Sequence, residues 1–212
     1  MSLYFDLETT GVGPTGKITC AATSTRDSTT TWHSGFGELL TAADGQRLAD
    51  ALVAAPTVYT FNGAAFDLRK LHELTGDDRL RGVALRHRDL MVDFACDSRY
   101  YTSMESFAAP TLKAGKSNTG AWAATAWFTD EAAAVLDYCA QDTVVLRDLC
   151  DYAERWGKLT RRSKAGKLSE WVLPSLDGSI RPVATAVANQ MPPPSWMRTA
   201  PLPLPDTGWA GL

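Results

Sequence analysis

Asp6 and Glu8 stand two residues apart in an otherwise apolar opening run, Phe5-Asp6-Leu7-Glu8-Thr9-Thr10-Gly11. If Ser2 to Glu8 form a strand, the two-residue side-chain period turns both carboxylates to one face, with Cα atoms ~6–7 Å apart. A hard divalent cation, which prefers oxygen ligands, fits between them. Two like charges on one face repel and are costly to bury, so a cation or open water must offset them. Further acids come from distant segments. Asp67 lies in the run Asn62-Gly63-Ala64-Ala65-Phe66-Asp67, and Asp142 occupies the apolar series Val135, Cys139, Leu146, Leu149 and Ala153. Tyr138, one turn before Asp142, projects over the same surface and reaches whatever that carboxylate binds.

The elements that must position these groups follow from the pattern around them. After the opening strand, Gly11, Gly13, Pro14 and Gly16 make a turn into a second strand over Lys17 to Ser24, and Thr-rich Ser28 to His33 supplies a third, completing an antiparallel meander. Gln46 to Ala54 carries Leu48, Leu52 and Val53 at helical spacing and is stopped by Pro56. Thr57 to Phe61 is a short buried strand. Strand, helix and strand in that order require a parallel crossover, so the expected fold is an α/β mixed sheet, a meander plus parallel strands, flanked by helices. Asn62 is placed to cap a helix whose packed stripe is Ala64, Leu68 and Leu71, bringing Asn62 and Asp67 to the carboxyl end of a strand, where open α/β sheets gather ligands. Helices are also expected over Asp89 to Tyr101, over Ser103 to Ala108 before Pro110, and from Thr129-Asp130-Glu131 onward, with the Thr129 hydroxyl as cap.

The 212 residues, 45% of them apolar, suffice for one sizeable core. We read residues 1–153 as the catalytic domain and 154–189 as a basic segment followed by a hairpin, Leu168 to Leu173 with Ser179 to Val183. Residues 190–212 are a Pro/Trp-rich tail that either wraps the domain or docks a partner. The net charge of −3 draws nothing onto nucleic acid globally, so phosphate contacts must come from local cations and metal. Four cysteines without a C-x-x-C pair read as reduced core thiols in a cytoplasmic protein. No apolar run approaches the ~18 residues that span a bilayer, so no membrane association is expected.

With three acid-bearing segments in order, the chain resembles the DEDD superfamily of 3′ to 5′ exonucleases on a ribonuclease H-like fold, as in polymerase proofreading domains and ribonuclease D-like enzymes. Phe5-Asp6-Leu7-Glu8-Thr9-Thr10-Gly11, Asn62-x-x-x-Phe66-Asp67 and Tyr138-x-x-x-Asp142 match its three motifs. Asp137 stands where the histidine branch has His, and Tyr138 is in place, so the resemblance is to the tyrosine branch, DEDDy. The resemblance covers residues 1–153. It implies two Mg²⁺ or Mn²⁺ ions held by Asp6, Glu8, Asp67 and Asp142, with Tyr138 orienting the attacking water. The implied product is a nucleoside 5′-monophosphate from a 3′ end, of single-stranded DNA in preference to RNA. A polymerase or replication partner would engage the tail, and the stand-alone form is compatible with phage or bacterial DNA metabolism.

Substrate contacts are assigned to Thr9, Val12, Asn62, Phe66 and Lys116. Val12 is either a wedge against the terminal base, as in polymerase-linked relatives, or ordinary turn packing. Asn62 is either a substrate contact or a helix cap, and Phe66 reads as core before stacking platform. The loop Lys113 to Gly120, with Lys116, Ser117 and Asn118, has the composition of a phosphate-contacting loop and equally of any solvated loop. The cations Arg155 to Lys167 are a strand track or a solvated face. Asp89, Asp93 and Asp97 follow i+4 spacing and read as a solvated acidic face. His33, His72 and His87 share no ligand spacing. Two rivals remain: a non-catalytic nucleic-acid or polymerase-binding module with an exonuclease fold, and a same-fold endonuclease.

Overall fold

In the computed structural model, which describes residues 1–113, 119–191 and 208–211, three antiparallel strands form first: β1 (Ser2–Thr9), β2 (Ile18–Ser24) and β3 (Thr29–Trp32). Two short strands, β4 (Thr57–Thr60) and β5 (Arg88–Asp89), add in parallel on the other side of β1. The sheet order is β3-β2-β1-β4-β5. Helix α1 (Ala42–Ala54) crosses from β3 to β4, and α2 (Asp67–Thr75) with α3 (Arg79–Arg86) crosses from β4 to β5. Helices α4 (Leu90–Ser98), α5 (Met104–Leu112), α6 (Gly120–Ala126) and the 25-residue α7 (Ala132–Trp156) follow. A hairpin of β6 (Lys158–Arg162) and β7 (Leu168–Val172), helix α8 (Val183–Ala188) and a 3-10 turn at Gly208–Ala210 complete the described chain. The mixed ribonuclease H-like sheet flanked by helices is therefore present.

The period of two along β1 divides the protein into two cores. Odd residues Phe5 and Leu7 are buried with Leu48, Leu52, Val58, Leu68, Leu71 and Leu80 beneath α1, α2 and α3. Even residues turn the opposite way, so Tyr4 packs with Phe94, Phe107, Leu146, Leu149, Leu159 and Trp171. Each such Leu, fully buried, contributes ~1.5–3 kcal/mol. On β2 the even positions Cys20 and Ala22 lie in one cluster with Val135, Tyr138 and Cys139 of α7. Small side chains on the strand let the long helix lie close to the sheet. Beyond them the Ser24 hydroxyl meets the Thr143 hydroxyl. At the other end of α7, Tyr4 Oη donates to Asp151 Oδ1 at 2.8 Å and Tyr59 Oη to Glu154 Oε1 at 2.9 Å, their rings stacked at 4.9 Å.

Several elements differ from expectation. Asn62 does not cap a helix: its φ is 72°, Phe66 is the residue before α2, and the stretch between is a turn. Gly63 is needed there, because a Cβ at that position would lie 2.5 Å from the Thr60 side chain. Thr129 does not cap α7 either; Glu131 precedes the helix, and the Thr129 hydroxyl donates to Ala126 O instead. Leu168–Val172 pairs with Lys158–Arg162, not with residues 179–183, because Leu159 and Trp171 are cross-strand partners that bury together. Helix α5 runs through Pro110, whose missing N–H falls in the last turn, where loss of one bond is tolerated. Asp89 and Asp93 are fully buried rather than solvated, and Asp97 accepts from Trp171 Nε1 at 3.0 Å.

Candidate active site

Strand β1 presents Asp6 and Glu8 on the face covered by α7. Asp6 is half-buried, Glu8 is buried, and their carboxylate oxygens lie within 4.8 Å of each other and of Cys139 Sγ. Cys139 donates to Asp6 O at 3.7 Å, which pins the middle of α7 to β1. Its contact with Cys20, burial, and the Asp6 and Glu8 charges all push the thiol well above its usual range. It therefore stays protonated, a poor ligand for a hard cation beside two good ones. Tyr138 precedes Cys139 and Asp142 follows it by three residues, so the helical period carries both toward the same region. Both are buried. The Tyr138 ring lies edge-on to Trp122 of α6 at 6.0 Å, and Trp122 Nε1 in turn donates to Glu131 Oε2 at 3.1 Å.

Asp67 reaches the same strand from the other side. It opens α2, is buried, and its Oδ1 accepts from Leu7 N, between Asp6 and Glu8, at 3.2 Å. Burial first, then the charges of Asp89 and Glu8, raise its carboxyl above the usual range. A cation bound beside it would offset the charge and favour the ionised carboxylate.

The turn that delivers Asp67 hangs on Asp89, a residue the sequence reading took as solvated. Asp89 Oδ1 accepts from Asn62 N (2.9 Å), and Oδ2 accepts from Ala64 N and from Thr60 Oγ1 (both 3.0 Å). Its Oδ1 also caps α4 through Met91 N and Val92 N. Burial alone would raise this carboxyl, but the facing His87 and the amides of Ala64 and Val92 hold it below the usual range. The one sequence signal for this role was position: an Asp just before an apolar helical run is an N-cap pattern.

Beside Glu8 a cavity of about 260 Å³ is lined by Leu7, Glu8, Thr9, Gly11, Val12, Phe66 and the first turns of α6 at Gly120, Ala121 and Ala124. Three of the expected substrate contacts, Thr9, Val12 and Phe66, thus share one wall with an acid. Val12 is 90% exposed, so it is a projecting tip and not turn packing. A Cβ at Gly120 would lie 3.9 Å from Glu8 Oε2, so α6 starts directly over the acid. Asn62 is not among the cavity-lining residues, and its amide is bound to Asp89. Lys116, with Ser117 and Asn118, lies outside the described residues.

A five-stranded mixed sheet crossed by a long helix, with Asp6 and Glu8 on β1 and Asp67 bonded to the same strand, defines a nuclease-fold domain of the α/β class. The chain belongs to the RNase H superfamily, whose family model matches residues 3–154. Among solved structures, the chain is similar to the family B DNA polymerase from the hyperthermophilic archaeon Pyrobaculum calidifontis, at 15% identity and a TM-score of 0.55, over 71% of this chain and 24% of that one. The chain thus spans about a quarter of that polymerase's length, and the likeness is one of fold. No curated protein matches the sequence. Among the described residues, no helix is long and apolar enough to cross a membrane.

The donor set fits the divalent metal that nucleases of this superfamily generally use. Carboxylate oxygens of Asp6 and Glu8 are close enough to share an ion, and the raised Asp67 carboxyl faces the same strand.

Proposed function

We propose that this domain is a metal-dependent 3′ to 5′ exonuclease of the tyrosine branch, releasing nucleoside 5′-monophosphates from single-stranded nucleic acid. The observation that supports the reading most is the Asp6 and Glu8 pair on β1, with Asp67 accepting from Leu7 N between them; Tyr138 and Asp142 stand one turn apart on the helix whose Cys139 meets that pair. Asp6, Glu8, Asp67 and Asp142 would hold two Mg²⁺ or Mn²⁺ ions, which when bound supply Lewis-acid stabilisation of an in-line phosphoryl displacement.

The rest of the work falls to the chain. Tyr138, fixed edge-on by Trp122, aims its hydroxyl and orients the attacking water; a phenol with a pKa near ~10 positions a water better than it removes a proton from one. Water adds to phosphorus, the bond to the 3′-oxygen of the preceding nucleotide breaks, and that oxygen leaves as a hydroxyl. The cavity beside Glu8 takes the terminal nucleotide, its base against Val12 and Phe66 and its sugar toward Thr9. Its 260 Å³ accommodates one nucleotide, which supports attack from an end. Asn62 holds the turn before Asp67 through its backbone N–H, which donates to Asp89.

Asp6→Ala and Asp142→Ala are each expected to abolish EDTA-sensitive degradation of single-stranded oligonucleotides while the circular-dichroism spectrum and melting transition are retained. Wild-type protein inert on both DNA and RNA with Mn²⁺ present would overturn the proposal.

A further inference from the structure

The cations after Arg155 are, by sequence, either a substrate track or a solvated face. In the structure, Arg161, Arg162 and Lys164 border a cleft of about 470 Å³ between the β6–β7 hairpin and the start of α5, whose other wall includes Tyr100, Thr102 and Ser106. We propose that this cleft is a second anchoring site, binding the phosphodiester backbone of single-stranded nucleic acid upstream of the end that enters the acidic site. The choice of polymer rests on the exonuclease reading; the cleft itself does not.

The charges in it are uncommitted. Arg79, Arg81, Arg147, Lys158 and Arg181 all lie against carboxylates. Among the described residues no carboxylate pairs with Arg161, Arg162 or Lys164, although the chain as a whole is acidic. Unpaired cations around a cavity repel one another, and an anion between them relieves that repulsion. Arg161 is also held in place: its guanidinium lies 4.9 Å from the Tyr100 ring centroid and 5.7 Å from that of Phe94. Stacking on a ring face leaves the planar N–H edge to fork onto a phosphate. Thr102 Oγ1 and Ser106 Oγ, 2.6 Å apart, add hydroxyls to the wall, and Ser106 Oγ also donates to Ser103 O at 2.7 Å. Cations beside aromatic faces are the pattern by which proteins follow a single strand without reading its sequence.

Size favours a strand over a free nucleotide, since the cleft's 470 Å³ exceeds the 260 Å³ of the cavity beside Glu8. Helix α5 begins at the cleft and runs nine residues, ~13 Å, to Leu112. Its far end is tied to the hairpin, where Thr111 Oγ1 donates to Thr160 O at 2.9 Å. The chain next described, at Thr119 and Gly120, stands over Glu8. Cleft and acidic site are separate places on the surface, with no lining residue in common. The hairpin wall, with the cleft's three cations, follows residue 154, where the superfamily match ends, and the opposite wall at Tyr100 to Ser106 lies within the match.

The test is binding measured without divalent metal, so that it does not depend on hydrolysis. Arg162→Glu/Lys164→Glu changes two exposed side chains. It should weaken fluorescence-anisotropy binding of a 20-nucleotide single strand at least about tenfold. The slope of log affinity against log salt should fall by about 1.4, at ~0.7 per lost phosphate contact on a single strand. Metal-dependent cleavage of a trinucleotide should change far less than binding of the 20-nucleotide strand. Unaltered affinity and salt slope in a folded double variant would overturn the proposal, as would a mononucleotide binding as tightly as the 20-mer and losing as much in the variant. If the wild type cleaves nothing but the variant still loses binding, the exonuclease reading fails and the anchoring site stands.

Discussion

Residue chemistry in this protein turns on how charge is held at one end of β1. Tyr138→Phe keeps the ring against Trp122 and removes the hydroxyl; kcat should fall by ~10–100-fold with little change in KM, and a larger effect on KM would show that the phenol binds substrate instead. Asp67 makes a pH prediction. Its folded pKa stands above the ~3.9 of an unfolded Asp, so between those values the folded chain holds a proton that the unfolded chain has lost. In metal-free protein its contribution to stability therefore falls as pH rises from ~4 through the folded pKa. Asp67→Asn should remove that slope, raising the metal-free Tm at pH 8 by about 3 °C or more, given ~1.4 kcal/mol per pKa unit and ~2–4 °C per kcal/mol at this size. The same variant should lose nuclease activity. A Tm that falls equally at pH 5 and pH 8 would contradict the assignment. The pattern Asp6-x-Glu8 and the placement of Asp142 in an apolar stripe were legible from sequence because side-chain period alone sets which face they occupy. Cys139 was not: as one more apolar residue of that stripe, nothing local distinguishes it from a core thiol, and only the approach of α7 to β1 puts its sulfur beside two carboxylates.

At the scale of elements, α7 and the turn after β4 do the positioning. The stripe along α7 identified the helix and its buried face, because apolar positions repeating at period 3.6 from Val135 to Ala153 leave little ambiguity. The acids Asp89, Asp93 and Asp97 misled for a physical reason: i+4 spacing marks one helix face but not whether that face meets water or partners. Asp93 meets Arg181, whose Nε donates to Oδ1 at 2.6 Å, and the sequence holds nothing that pairs residues 88 apart. Hairpin register was misjudged similarly, since the cations of residues 158–167 obscured Leu159 as the one inward residue of β6. Asp89 carries the strongest prediction here. Asp89→Ala strands the amides of Asn62, Ala64, Met91 and Val92 in the interior, and should cost ~3–5 kcal/mol of stability in chemical denaturation. Asp89→Asn, which keeps an acceptor oxygen, should cost less and lower activity through Asp67. A loss below ~1 kcal/mol for the alanine variant would show that the turn does not depend on this side chain.

Across the whole molecule, the last described residues pack against α2, α3 and the turn before them. Trp209 Nε1 donates to Ala64 O at 2.8 Å, its ring meets His72 at 5.3 Å, and Arg81 Nη1 donates to Trp209 O. Of the two readings of the tail, its end thus returns to the domain, beside the turn that carries Asp67. The fold class was legible because strand, helix and strand with a preceding meander admit few arrangements; a tail rich in Pro and Trp carries no period, so where it lands was not. The central claim is that these parts together shorten nucleic acid from its 3′ end, and time-resolved digestion of a 5′-labelled single-stranded oligonucleotide with Mg²⁺ or Mn²⁺, beside a circular single strand, tests it most directly. The account predicts a ladder of labelled products shortened one nucleotide at a time, abolished by EDTA and by Asp142→Ala, with the circle intact; linearised circles, or immediate release of the label as a mononucleotide, would contradict it.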